Sequence, residues 1–267
     1  MEYLLDILIP LYKKFDVVEK VIDLSNSTPE SSSKVRWIFS DDSDDEMFAN
    51  RVIKEIARFP NIIYTTHLPT GNAVDNWNFL LDFSTAEYRL LMHHDEFFSM
   101  PKDLLQLLTE IKKGFDVYFL DVHVKNTKGQ YCKLSPSMFK KFILRYFPKY
   151  LYRRNLVGPP SAIVVRRDKT RYQSVLIYLV DVNYLINLLT HIKFSFSITN
   201  IRILSTPHSQ SITSGLNIDE IKTQELCLLK HKSPFLDILF DSIYGLWLIF
   251  RNTLCFISSY LHYNRHD

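Results

Sequence analysis

Short apolar runs rich in β-branched and aromatic residues alternate with stretches of helical spacing through the first half of the chain. The runs cover residues 4–10, 35–40, 62–66 and 88–92, and the helical stretches between them cover 15–25, 45–58 and 74–83. This alternation predicts βαβ units with right-handed crossovers, and therefore an α/β fold around a mostly parallel sheet. All the parallel strands of such a sheet end at the same edge.

The pattern continues after Pro101, with a helix near 104–113, a strand over 116–124 and a hairpin that closes around 131–134. A break at residues 158–161 precedes a strand at 162–165 and a helix at 179–190. The aromatic and basic stretch 139–152 suits a groove-lining helix or a packed amphipathic one, and packing is favoured. Because no long polar linker divides the chain, we expect residues 1–215 to form one domain and 216–267 a helical extension.

Composition narrows the classes of protein that fit. A net charge of +3 spread over 267 residues does not favour a nucleic-acid binder. The cysteines Cys132, Cys227 and Cys255 are too widely spaced for a zinc site or a disulfide framework, and the N-terminus carries no secretory signal, so a reducing cytoplasm is expected. Six glycines leave no G-x-G-x-x-G or P-loop motif, which disfavours dinucleotide oxidoreductases and NTPases.

The C-terminal segment 235–263 is rich in apolar and aromatic residues, but Asp237, Asp241, Arg251 and Asn252 interrupt it. A clean spanning helix is therefore not expected. Two alternatives remain open for this segment: peripheral contact with a membrane surface, and packing against the core.

Polar residues directly follow the predicted second and fourth strands. Asp41 and Asp42 follow the second, and the sequence His93-His94-Asp95-Glu96 follows the fourth. Ligands of an open parallel sheet bind outside the carboxyl ends of its strands. A carboxylate at such a position can accept from a pyrimidine N–H or from ribose hydroxyls. Imidazole beside carboxylate suits manganese better than calcium, and such a cation is what a bound diphosphate needs. The alternative is a solvated turn, with Asp44 or Asp45 capping the next helix.

Three stretches together carry a resemblance to a known family. They are Asp6-Ile7-Leu8-Ile9-Pro10-Leu11-Tyr12, then Trp37-Ile38-Phe39-Ser40-Asp41-Asp42-Ser43-Asp44-Asp45, and the block from Gly71-Asn72-Ala73-Val74-Asp75-Asn76-Trp77-Asn78 to Met92-His93-His94-Asp95-Glu96. In this order they resemble the motifs of family-2 glycosyltransferases. The resemblance spans most of residues 4–190 and implies the Rossmann-like GT-A fold.

The resemblance also implies site residues. Those implied to contact the nucleotide sugar are Pro10, Tyr12, Asp41, Asp42, Asn76, His93 and His94. Those implied to bind Mn²⁺ or Mg²⁺ are Asp95, Glu96 and, from a late loop, His208. The D-x-D motif of the family falls on His93-His94-Asp95, so its first acid is a histidine here.

Residues 155–167 resemble the loop and strand that border the acceptor site in this family, and they lead to 179–185, which looks like its acidic helix start. The resemblance implies that Asp181 is the general base of an inverting reaction. The glutamate that usually precedes it is Val180 here. A plain helix N-cap is the alternative role for Asp181.

The expected activity is sugar transfer from a UDP- or dTDP-sugar to a glycan. The expected acceptor is an oligosaccharide on polyprenyl diphosphate in bacterial O-antigen or capsule synthesis. Such an enzyme would work in the cytoplasm, at the inner face of the cytoplasmic membrane. One alternative is a sugar nucleotidyltransferase, although its basic glycine-rich loop after the first strand is absent. Another is an inactive membrane-surface binding or scaffold protein, suggested by His93 and Val180 in place of acids.

Overall fold

The computed structural model describes residues 3–125, 129–133, 137–191, 195–206, 217–229, 242 and 245. The strands in these ranges are β1 (Leu5–Leu11), β2 (Val35–Asp41), β3 (Ile62–Thr66), β4 (Tyr88–Leu91), β5 (Glu96–Phe98), β6 (Val117–Lys125), β7 (Tyr131–Lys133), β8 (Ile163–Arg166) and β9 (Phe196–Ser205). The α-helices are α1 (Phe15–Ser27), α2 (Glu46–Ile56), α3 (Ala73–Phe83), α4 (Pro101–Ile111), α5 (Ser137–Tyr146), α6 (Val180–His191) and α7 (Ile218–Leu228).

The described strands form one sheet in the order β3-β2-β1-β4-β8-β6-β9-β5, with β7 paired to β6. The neighbours β3, β2, β1 and β4 are parallel, as are β6 and β9. Strand β8 joins these two parts because it runs antiparallel to both β4 and β6. The predicted α/β class, a sheet flanked by helices, is confirmed.

The core lies on both faces of the parallel strands. In β1, the side chains of Leu5, Ile7, Leu8 and Ile9 are all fully buried. A strand covered on both faces has apolar residues without strict alternation, and here Asp6 is the one charged residue between Leu5 and Ile9. The register pairs Leu11, the last residue of β1, with Asp41, the last residue of β2. The carboxyl ends of these strands are therefore level with one another.

A buried carboxylate joins β1 to its surroundings. Asp6 is fully buried and accepts two hydrogen bonds from the Arg36 guanidinium, at 2.8 and 2.7 Å. It also accepts from the Ser84 hydroxyl (2.8 Å) and from the main-chain N–H groups of Thr85 (2.9 Å) and Ala86 (3.0 Å). These partners come from β2 and from the turn between α3 and β4, so Asp6 ties three elements together at the amino end of the sheet.

Two strands were not predicted from the sequence. Strand β9 alternates apolar and polar residues, but its alternation changes phase at Thr199-Asn200, where the pairing with β6 shifts register. Strand β5 has only three residues and pairs antiparallel with β9. As a consequence, Glu96 is not an exposed loop residue but the first residue of a strand, and it is buried.

Helix α7 is the described part of the predicted C-terminal extension. Of the segment 235–263, for which membrane contact is one of the two expectations, only residues 242 and 245 are described, so the expectation lies outside the described part of the chain. Within the ranges given above, no helix combines the length and the hydropathy needed to cross a bilayer.

Candidate active site

A cleft of about 1130 Å³ lies at the carboxyl ends of β1, β2 and β4 and reaches the first turn of α6. The predicted site residues that line it are Pro10, Tyr12, Asp42, Asn76, His93, His94, Asp95, Glu96 and Asp181. Asp41 is not among the residues that line the cleft, and His208 lies outside the described residues. The fold thus brings side chains from four separate strand or helix ends into one cavity.

The neighbouring carboxylates Asp41 and Asp42 have different surroundings. Asp41 is buried and accepts from the Ser43 N–H (3.0 Å), the Ser43 hydroxyl (3.0 Å) and the Tyr64 hydroxyl (2.7 Å). These contacts hold the turn that follows β2. Asp42 lines the cleft, and partial burial raises its pKa. Of the two, it is Asp42 that is available to a ligand in the cleft.

The turn after β1 forms the rim of the cleft. Tyr12 has 62% of its surface exposed, so its ring is accessible there. The next residue, Lys13, has a φ of 54°, which turns the chain away from the strand direction. Its ammonium lies 3.3 Å from Asp45, which caps α2 by accepting from the Phe48 N–H at 3.0 Å. One of the two predicted caps is thereby confirmed, and it ties the β1 turn to α2.

The Asn-Trp-Asn sequence of α3 contacts the segments that surround the cleft. Asn76 donates to the main chain at the end of β2 (3.1 Å), and the Trp77 ring packs on His93 with the ring centroids 4.7 Å apart. Asn78 brackets the main chain of Tyr172, donating to its carbonyl and accepting from its N–H, both at 2.9 Å. The motif therefore holds three segments in place: the end of β2, the turn after β4 and the loop that leads to α6.

The turn between β4 and β5 carries a group of side chains that fits a divalent cation. One ligand atom each from His93, Asp95 and Glu96 lies within 4.8 Å of the others. The turn is closed by a hydrogen bond from the Glu96 N–H to the His93 carbonyl, at 3.1 Å. The His93 Nε2 is buried and has no hydrogen-bond partner in the described part of the chain. One imidazole nitrogen with two carboxylates is a donor set that suits Mn²⁺ or Mg²⁺.

Burial controls the ionisation of this group and of the nearby helix start. Withdrawal from water raises the pKa of Glu96 to about 8, with a further contribution from the negative charge of Asp95. Burial also raises the pKa of Asp181 to about 7 and lowers that of His93 to about 4. His93 is therefore neutral near pH 7, as a metal ligand must be. A bound cation would lower the pKa values of the carboxylates, because it favours their ionised forms.

Asp181 lies in the first turn of α6 and lines the cleft. Its Oδ1 is buried without a hydrogen-bond partner among the described residues. The first main-chain bond of the helix runs from the Asn183 N–H to the Leu179 carbonyl, at 2.8 Å, so Leu179 is the cap residue. Asp181 is therefore not the N-cap that was considered as its alternative role.

Several lining residues were missed by the sequence analysis. Lys14 lies two residues beyond Tyr12, and its position just after the end of β1 could have identified it as a candidate. Tyr152 and Asn155 also line the cleft, and Lys222 reaches it from α7. No local pattern marks Lys222, because its place depends on how α7 packs against the domain.

Comparison with known proteins supports the fold. No family model and no curated protein matches the sequence. Residues 1–349 of TarS from S. aureus, solved with UDP-GlcNAc, superpose with a TM-score of 0.59 at 12% identity, over 81% of this chain and 61% of that one. The mannosyltransferase PcManGT from Pyrobaculum calidifontis, solved with GDP-Man and Mn²⁺, superposes with a TM-score of 0.56 at 9% identity. This superposition covers 79% of this chain and 59% of that one.

The chain spans less than two thirds of the length of either of these proteins. The superpositions cover about four fifths of this chain, although few residues are identical. The chain therefore shares the GT-A fold of these glycosyltransferases, as its sequence motifs predicted.

Proposed function

We propose that this protein is an inverting glycosyltransferase that moves a sugar from a UDP- or dTDP-sugar to a hydroxyl of a glycan. The observation that carries the proposal is the single cleft that holds Asp42, the His93–Glu96 turn and Asp181. Its position outside the carboxyl ends of parallel strands is where α/β sheets bind nucleotides. The complexes of TarS with UDP-GlcNAc and of PcManGT with GDP-Man and Mn²⁺ support the same chemistry.

The donor nucleoside is assigned to the part of the cleft formed by β1, β2 and α3. Asp42 would accept from an imide N–H of the base or from ribose hydroxyls, and such charge-assisted bonds are strong. The exposed ring of Tyr12 offers a face against which a base can stack. Pro10 and Asn76 complete this wall, while Asp41 acts indirectly by holding the turn that carries Asp42.

The diphosphate is assigned to the turn between β4 and β5. Asp95 and Glu96, together with the neutral His93, would hold Mn²⁺ or Mg²⁺, and His94 lies beside them on the cleft wall. When bound, the cation stabilises the negative charge that develops on the departing nucleoside diphosphate. His208 remains a proposed additional ligand.

Asp181 is assigned the role of general base. It would accept the proton of the acceptor hydroxyl as the oxygen attacks the anomeric carbon from the face opposite the diphosphate. A base works best when its pKa is near the working pH, and burial raises that of Asp181 to about 7. Its place in the first turn of a helix gives it a rigid mounting.

A screen of UDP-, dTDP- and GDP-sugars with Mn²⁺ tests the proposal. We expect the wild type to bind and slowly hydrolyse one donor, and Asp181→Asn to bind that donor with unchanged affinity while its turnover falls roughly 100- to 10,000-fold. Asp16→Asn, an exposed carboxylate on α1, is the matched control. Failure of every nucleotide sugar to bind, or equal turnover in Asp181→Asn, would refute the assignment and favour an inactive binding protein.

The acceptor is proposed to be a glycan on polyprenyl diphosphate, made into bacterial O-antigen or capsule at the inner face of the cytoplasmic membrane. Only the family resemblance supports this part. Transfer rates to one oligosaccharide, free in solution and linked to a polyprenyl diphosphate, decide it. Equal rates on both forms would contradict a lipid-linked acceptor.

A further inference from the structure

Helix α7 contributes a buried carboxylate to the start of α6. Glu225 on α7 is 6% exposed. It accepts hydrogen bonds from three consecutive main-chain N–H groups, those of Ile177, Tyr178 (3.1 Å) and Leu179 (2.7 Å). These contacts join residues that are 46 to 48 positions apart in the sequence.

Consecutive N–H groups that point to one side form a concave site for an anion, and here the anion is a side chain of the protein itself. Hydrogen bonds to an ionised acceptor are about twice as strong as neutral ones. The bound segment ends at Leu179, the cap residue of α6, which is two residues before Asp181. Glu225 therefore sets the position at which the helix of the proposed base begins.

A second contact of α7 lies one helical turn earlier, at Lys222. The Lys222 ammonium donates to the main-chain carbonyl of Arg153 at 2.9 Å, and Lys222 itself lines the cleft. Arg153 directly follows Tyr152, which lines the cleft. Helix α7 thus holds two separate segments that border the cleft.

We infer that Glu225 is a positioning residue for Asp181, acting through the main chain of residues 177–179. The inference rests on the proposed function, since it assumes that Asp181 is the base. It also changes the division of the chain, because α7 then belongs to the catalytic unit and not to a separate extension that begins at residue 216.

Loss of the Glu225 carboxylate leaves three N–H groups without their acceptor and allows the segment before α6 to move. A displacement of the base by about 1 Å is enough to slow a reaction by roughly 100-fold. The residues assigned to the donor come from β1, β2, α3 and the β4–β5 turn, and not from residues 177–179 or α7. We therefore expect kcat to fall and donor affinity to persist.

The test compares the full-length wild type with Glu225→Ala and Glu225→Gln, and Gln224→Ala, an exposed neighbour on α7, is the control. Glu225→Ala is expected to lower kcat by about 10- to 100-fold, with the donor KM and the calorimetric donor Kd within about twofold of wild type. Glu225→Gln keeps one carbonyl acceptor but loses the charge, so its kcat is expected to lie between the values for the wild type and Glu225→Ala. Amide hydrogen exchange at residues 177–179 is expected to accelerate in Glu225→Ala and not in the control.

Unchanged kcat in Glu225→Ala would overturn the inference, as would a parallel loss of kcat, donor affinity and melting temperature, which is the signature of a purely structural role. Hydrogen exchange separates these results from a failure of the proposed function. If the wild type turns over no nucleotide sugar, both the assignment of Asp181 as the base and the positioning role of Glu225 are refuted. Accelerated exchange confined to residues 177–179 would then still establish the contact, and unchanged exchange would refute it.

Discussion

Asp181→Asn is expected to stabilise the metal-free protein while it slows sugar transfer. Burial raises the pKa of Asp181 from its ordinary value of 3.8 to about 7. Because the folded value lies above the unfolded one, the native state binds this proton more tightly than the unfolded chain does. The free energy of unfolding therefore decreases as the pH rises from about 4 to about 7, and it becomes level above that range.

The difference between the two pKa values lowers the free energy of unfolding by about 4 kcal/mol at pH 8. At pH 5, where the native side chain is still protonated, it lowers it by about 2 kcal/mol. These figures are upper limits, since Asp181 is only partly withdrawn from solvent. Asparagine has a similar shape but cannot ionise, so the substitution removes this cost. The stabilising effect of Asp181→Asn is thus expected to be about twice as large at pH 8 as at pH 5.

Urea unfolding of the wild type and of Asp181→Asn, in EDTA at pH 5 and pH 8, measures this effect. Asp16→Asn, whose carboxylate is exposed on α1, serves as the control and should show no such pH dependence. A gain in stability that is the same at both pH values would refute the reasoning, because it would show that ionisation of Asp181 is not what destabilises the fold. An absence of any gain at pH 8 would refute it equally.

Three further substitutions test other parts of the structure. Asp6→Ala should lower the free energy of unfolding by about 3–5 kcal/mol in urea titrations, because it leaves the Arg36 guanidinium, 13% exposed, without its carboxylate partner; a loss below 1 kcal/mol would contradict this. Asp95→Asn should weaken Mn²⁺ binding roughly 10- to 100-fold by calorimetry, and unchanged affinity would exclude Asp95 as a ligand. Trp77→Leu should lower kcat/KM about tenfold, since it removes the ring that packs on His93, and equal kinetics would show that this contact has no catalytic role.

The parallel part of the sheet could be predicted from the sequence because each of its strands is encoded by its own residues. The apolar run of β1 lies between turn residues, and α3 has a clear helical spacing, so the bounds of both were predicted to within one residue. Strand β9 was missed because its alternation changes phase where it pairs with β6 out of register. That irregularity is a property of the pairing, and only the partner strand reveals it.

The same limit applies to the candidate site. Polar residues at the ends of strands are visible in the chain itself, so Asp42 and Asp95 could be identified as ligand candidates without coordinates. The different surroundings of Asp41 depend on Tyr64, which comes from the next strand. Similarly, the ionisation of Glu96 depends on the burial that β9 provides.

Local order along the chain was thus enough to define the parallel strands β1 to β4, the helices between them and the strand-end acids of this protein, since hydrophobic period and turn chemistry act between near neighbours. The convergence of Asp181 with the β4–β5 turn, and the contact of Glu225 with the start of α6, were decided only by the packing of distant segments. Burial and hydrogen bonding depend on which groups the folded chain brings together, and residues 46 positions apart carry no local sign of their contact.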